Sequence, residues 1–328
     1  MSALVHSSTL VTAGVYVLVR FSSCIVGGWF MFLRFVATIT ILISAIRAIF
    51  EPDVKKVVAL STLSQLGVIM LAISVGSVRV CFFHLVRHAL FKALMFLCVG
   101  GVIHFSGVQD LRYIGGYLYR SPICMSWLVV ASLSLIGFPF LSGFYSKDLV
   151  LESFLSGGIR IVLCVIVALS TCLTVLYRSY MLSRVFFSSI GPAYVGSCLS
   201  SKYARVPCRI LGSGALFGGI LMQSFVLEFN CFFSLFEIIK VVPLLCVCFG
   251  LFFFSIRVIW KLLNNFCVLN FNNKVRDYEF LNDILGKMWF MPLLSRDFFS
   301  GEVLDIRGDT KGLIEDGYLE FSFGGEGV

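Results

Sequence analysis

Residues 80–104 read VCFFHLVRHALFKALMFLCVGGVIH. A helix needs roughly 20 apolar residues to cross the hydrocarbon of a bilayer, and this run is long enough. It nevertheless carries His84, Arg87, His88 and Lys92. His84, His88 and Lys92 fall at i, i+4 and i+8, one stripe about 12 Å long at 1.5 Å per residue. Lys92 lies too deep for its side chain to reach either end of the run. A charge at that depth is costly and belongs against water or protein rather than lipid. Histidine titrates near neutrality, so the stripe reads as a proton relay. The plainer alternative is that the histidines only hydrogen-bond neighbouring helices. A metal site is not expected, because Arg87 and Lys92 repel a cation and no carboxylate is near in sequence.

The rest of the chain agrees with a membrane setting. Of its 328 residues, 59% are hydrophobic and 13% charged, against about 25% charged in ordinary soluble domains. That balance excludes a soluble enzyme, a disordered chain and a nucleic-acid binder. The expected fold is all-α and polytopic, with about eight membrane helices at 2–20, 25–49, 55–77, 80–104, 122–146, 159–186, 209–229 and 235–260. Residues 1–263 form the membrane domain and 264–328 a polar, amphipathic tail. Residues 1–263 hold 20 Lys/Arg and 7 Asp/Glu, the tail 6 and 11. With eight spans, 12 Lys/Arg, Arg47, Arg112 and Arg178 among them, fall on one side and 5 on the other. The richer side is the cytoplasm-like one.

The segment 122–146 carries Gly137-Phe138-Pro139 in its middle, then Ser142-Gly143 and Lys147-Asp148. Proline removes a helical hydrogen bond, and helix breaks at membrane depth line cavities or ion paths. A kinked packing helix with Lys147 as an interfacial anchor is the alternative. Lys147 and Asp148 are adjacent and so face different partners. His6, among Ser7, Ser8, Thr9 and Thr12, and the patch Ser61, Thr62, Ser64 and Gln65 suggest further hydrated faces, though Ser and Thr also mediate packing. Arg34 and Arg87 could bind carboxylates or lipid phosphate. The 12 cysteines are scattered through apolar runs without ligand spacing and read as small apolar fillers.

Five ordered stretches carry a resemblance: SALVHSSTLVTAGVYVLVRF from residue 2, DVKKVVALSTLSQLGVIM from 53, HLVRHALFKALMFLCVGGVIH from 84, QDLRYIGG from 109 and GFPFLSGFYSKDLVLE from 137. Together they resemble the antiporter-like proton-channel family of NADH:ubiquinone oxidoreductase (complex I), in wording its mitochondrially encoded chain 5 branch. The resemblance implies a proton-translocating subunit, multi-pass in the mitochondrial inner membrane. It implies that His6 links two half-channels and that His84, His88 and Lys92 form the central axis on the second broken helix. Lys147 is then the terminal lysine, with Asp148 as its neighbour. No cofactor is expected in this chain: NADH, FMN, iron–sulfur clusters and ubiquinone belong to partner subunits. Partners are the other membrane-arm subunits and the lipid bilayer, with no nucleic acid. Family members carry about seven spans before the position of His6 and a lateral helix after the tail. The chain is therefore expected to be partial: a fragment, a split product with a separate chain carrying the N-terminal half, or a reduced form. The other readings are an Mrp-type cation/proton antiporter subunit and a non-pumping membrane-arm scaffold.

Overall fold

The computed structural model describes residues 11–24, 27–116, 121–157, 161–187, 202–226 and 237–266. These fall in the first of the chain's two units, 1–269, and the second is 270–328. The described residues form nine α-helices. They are α1 (Val11–Arg20), α2 (Gly27–Phe50), α3 (Val54–Ser74), α4 (Val78–Ser106), α5 (Pro122–Ile136), α6 (Ser142–Ser156), α7 (Ile161–Phe187), α8 (Lys202–Val226) and α9 (Glu237–Phe266). Five, on α2, α3, α4, α7 and α9, are long and apolar enough to cross a membrane by length and composition. The all-helical, polytopic membrane fold follows from this pattern. Of the expected first span only 11–20 is described, and His6 lies outside the described residues, as does the tail from 267. Helix α9 runs three residues past the expected boundary at 263.

Burial separates the helices. In α3, 83% of the most apolar window is buried, against 22% in α9. Helix α3 is therefore the axis, and α9 presents Phe249, Phe252 and Phe253 outward. Such outward apolar faces are what lipid solvates. Around α3 pack α2, α4 and α6, and α4 also meets α5, α6 and α8. Helices α2 and α3 approach closely at Gly67, where a Cβ would run into the Ile41 side chain, the small-residue contact by which membrane helices gain packing. At one end of the bundle the α2–α3 turn pairs with the segment after α4. Val54 N–H donates to Gln109 O (3.0 Å) and Leu111 N–H to Pro52 O (2.9 Å). Glu51, buried at this turn, takes Arg47 at 2.8 Å and Lys56 at 3.3 Å.

Three expectations meet the structure. First, the break expected in the fifth span is present, as two helices, α5 and α6, each of 15 residues. Gly137 (φ 88°) ends α5 in the left-handed region, and Phe140 (φ 67°) adopts it too. Pro139 lies between them and cannot continue a helical hydrogen-bond ladder. Second, the axis residues His84, His88 and Lys92 sit on a continuous helix, α4. The break belongs instead to the pair that carries Lys147. Third, Arg178 is no loop charge: it is 0% exposed, inside α7.

Candidate proton-relay site

Helix α4 turns its ionisable stripe inward, as a charged group among apolar residues must. His84, Arg87, His88 and Lys92 are all buried. Lys92 Nζ donates to Ser61 Oγ on α3 at 2.6 Å. Ser61 Oγ donates in turn to its own helix, at Val58 O, at 2.5 Å. That back-bond leaves the hydroxyl lone pairs free for the ammonium. Two turns earlier, His84 Nδ1 lies 2.9 Å from Ser146 Oγ on α6. His88 sits between them, its ring centroid 6.5 Å from that of His84. Both His88 ring nitrogens and His84 Nε2 are buried without a hydrogen-bond partner among the described residues. Buried polar atoms normally have partners, so these nitrogens are exceptions gathered on the stripe.

The helix break fixes Lys147. The last carbonyls of α5 have no intrahelical donor, and the negative end of its dipole attracts a cation. Lys147, on the helix beyond the break, folds back and donates to Ile136 O at 3.1 Å. It also reaches Thr174 Oγ1 on α7 at 3.4 Å. Lys147 is 3% exposed, so it is a buried group and not an interfacial anchor. Close packing across the break depends on Gly143, where a Cβ would run into the Ser134 carbonyl oxygen. Asp148 is half-buried, with Lys147, Glu152 and Cys246 in electrostatic reach.

Between the two lysines the buried polar groups lie in two rows, joined by hydrogen bonds at some steps and separated by gaps at others. One row runs from Lys92 along His88 and His84 to Ser146, the neighbour of Lys147. The other runs from Ser61 to Ser64, one turn on, whose Oγ is 3.4 Å from the Tyr177 hydroxyl on α7. Thr174, the partner of Lys147, lies one turn before Tyr177. Arg178 completes this face of α7, with one guanidinium nitrogen 2.9 Å from Met95 Sδ. It lies within electrostatic reach of His88, Lys92 and Lys147. Ser146, Thr174, Tyr177 and Arg178 are site residues that the sequence reading passed over. The spacing of Ser170, Thr171, Thr174, Tyr177 and Arg178 through an apolar run marks one polar helix face and was the available signal.

Arg87 stands apart. Its guanidinium packs against the bare backbone of Gly218 on α8, near Gly219 and Ser142. None of its three nitrogens has a hydrogen-bond partner among the described residues. Arg34 donates to Ser74 O at 3.0 Å. Among the described residues no group of three or more His, Cys, Asp or Glu could hold a metal ion.

Comparison with known proteins gives the same direction along the chain. The family model described as "NADH:quinone oxidoreductase/Mrp antiporter, TM" matches residues 1–174. One described as "NADH dehydrogenase subunit 5 C-terminus" matches residues 185–328. A protein named NADH-ubiquinone oxidoreductase chain 5 from Anopheles gambiae is 37% identical over 332 residues, covering 100% of this chain and 56% of the relative. The protein of that name from Locusta migratoria is 35% identical over 336 residues, with the same two coverages. That from Lumbricus terrestris is 51% identical over 156 residues, 47% of this chain and 27% of the relative. The chain spans about half the length of the curated relatives it matches.

Proposed function

The chain belongs to the NADH:quinone oxidoreductase/Mrp antiporter transmembrane family, and from that premise we propose that it is a proton-translocating membrane subunit of complex I in the mitochondrial inner membrane. Residues 1–263 form its antiporter-like membrane part and 264–328 a matrix-side amphipathic tail. Its partners are the other membrane-arm subunits. Those of the electron-transferring arm hold FMN and the iron–sulfur clusters and pass electrons from NADH to ubiquinone, and this chain binds none of these groups.

The observation that carries the reading is the set of buried polar and ionisable side chains lying between Lys92 and Lys147. Protons step between the lysine amines along His88 and His84, with Ser61 and Ser146 holding the end groups in place. Asp148 extends the path beside Lys147, and His6, outside the described residues, keeps the half-channel link that the family resemblance implies. Moving one charge against 100 mV costs about 2.3 kcal/mol, so the steps are driven by electron transfer in the partner subunits. The match of the second half of the chain to a subunit 5 C-terminus favours complex I over an Mrp-type antiporter. The test is Lys92→Ala and Lys147→Ala in the assembled complex. Protons moved per electron should fall sharply while NADH oxidation by an artificial acceptor persists. An unaltered ratio would leave the chain as a scaffold.

A further inference from the structure

Cys172 and Cys246 are 74 positions apart, yet the fold brings them together where α7 crosses α9. The Cys172 thiol donates to the Cys246 backbone carbonyl at 3.3 Å, which brings its sulfur against the Cys246 residue itself. One turn along α9, Gly250 lets the backbones close up. A Cβ there would stand 3.0 Å from Cys172 O and 2.7 Å from Val175 Cβ. Beside the pair opens an apolar cleft lined by Leu151, Val167, Thr171, Pro243 and Cys246, with Cys164 also on its wall. Lys147 is in electrostatic reach of both sulfurs, the electropositive setting in which thiols react.

We propose that Cys172 and Cys246 form an oxidation site, a dithiol that peroxide converts into a disulfide stapling α7 to α9. The Cys246 sulfur, as thiolate, attacks one oxygen of hydrogen peroxide entering by the cleft. The O–O bond breaks and leaves a sulfenic acid and hydroxide. The Cys172 sulfur then attacks the Cys246 sulfur, and the sulfenic oxygen leaves as a second hydroxide. The two protons of the thiols convert both hydroxides to water. Two thiols and one peroxide thus give one disulfide and two waters. The bridge ties α9 to the helix that carries Thr174, the partner of Lys147.

The experiment uses membrane vesicles holding the assembled complex. They are treated with hydrogen peroxide, alkylated with N-ethylmaleimide in denaturant, digested and weighed. The expected result is joint loss of the alkylated Cys172 and Cys246 peptides and appearance of one linked species. Dithiothreitol before alkylation should restore both. Cys164, on the same cleft, should enter no linked species. In Cys172→Ser the linked species should vanish, with Cys246 stopping at the sulfenic acid. The native chain alone carries the test if that variant does not assemble. Recovery of both cysteines as separate alkylated peptides, under peroxide that oxidises other membrane thiols, overturns the proposal. Since the readout is mass, it stands whether or not the chain pumps protons.

Discussion

Replacing Gly143 by Ala should uncouple the pump while leaving electron transfer intact. The added Cβ would run into the Ser134 carbonyl oxygen and lie 2.7 Å from the Ser134 carbonyl carbon. These are backbone atoms, so no side-chain rotation relieves the clash. Ordinary contact begins near 3.4 Å, so α6 must withdraw from α5 by about 0.7 Å at least. One turn on, Lys147 is held by a 3.1 Å bond to Ile136 O, and the same withdrawal takes that distance past hydrogen-bonding range. The 2.9 Å contact between Ser146 and His84 spans α6 and α4 and stretches with it. A hydrogen bond to a charged group is worth about 1.5–3 kcal/mol, or roughly ten- to a hundredfold in an equilibrium. Overpacking itself costs about 1–3 kcal/mol, so some complex should still assemble. The assay is proton uptake per NADH oxidised in coupled vesicles, normalised to assembled complex on native gels. Gly100→Ala on α4 is the control, because nothing lies within 4 Å of its added Cβ. If Gly143→Ala assembles normally and pumps at the Gly100→Ala ratio, the claim that the break positions Lys147 is wrong.

Three further outcomes follow from single contacts. Ser61→Ala removes the hydroxyl 2.6 Å from Lys92 and should slow proton uptake roughly ten- to a hundredfold on the same arithmetic. Ser61→Thr should restore it, and an unchanged rate in the alanine variant takes Ser61 off the path. Arg87→Met replaces a buried guanidinium, without hydrogen-bond partners among the described residues, by an apolar chain of similar length. Resistance of the complex to detergent or heat should hold or rise, by up to about 1–4 kcal/mol. A clear drop would mean that the guanidinium is satisfied by something beyond the described residues. Glu51→Ala strips Arg47 of its carboxylate and Lys56 of one of two, since Lys56 keeps Asp53 at 2.8 Å. The Lys56 side chain is 63% exposed, so its pair contributes under about 1 kcal/mol. The buried Arg47 pair dominates, and the loss should be on the order of 2 kcal/mol in thermal stability. Equal melting of variant and parent in low salt refutes it.

The sequence was most informative where a rule of burial was violated. The stripe His84, His88, Lys92 could be placed on one helix face because charges do not sit in lipid, and the structure puts all three inside. Pro139 between Gly137 and Gly143 marked a discontinuity, and the chain breaks there. Two things could not be read. The partners of the lysines come from helices 31 and 27 positions away, and no local pattern states which helices meet. Arg178 looked like a topology signal because Lys/Arg near a helix end usually is one. Its true setting is inside α7, which runs to Phe187, where it is 0% exposed among neighbouring helices. Likewise Cys172 and Cys246 are unremarkable apolar residues until α7 and α9 cross.

The bond from Lys147 to the end of α5 makes one atom serve two purposes. On the proposed reading its nitrogen holds the transferable proton, and it also straps the two half-helices across their gap. A charged donor grips a carbonyl roughly twice as hard as a neutral one. Each departure of the proton therefore slackens the strap, and each arrival tightens it. The gap between α5 and α6 is then a mechanical gauge of occupancy. A pull applied to either half-helix from elsewhere in an assembly would be felt, through the same nitrogen, as a change in its hold on the proton.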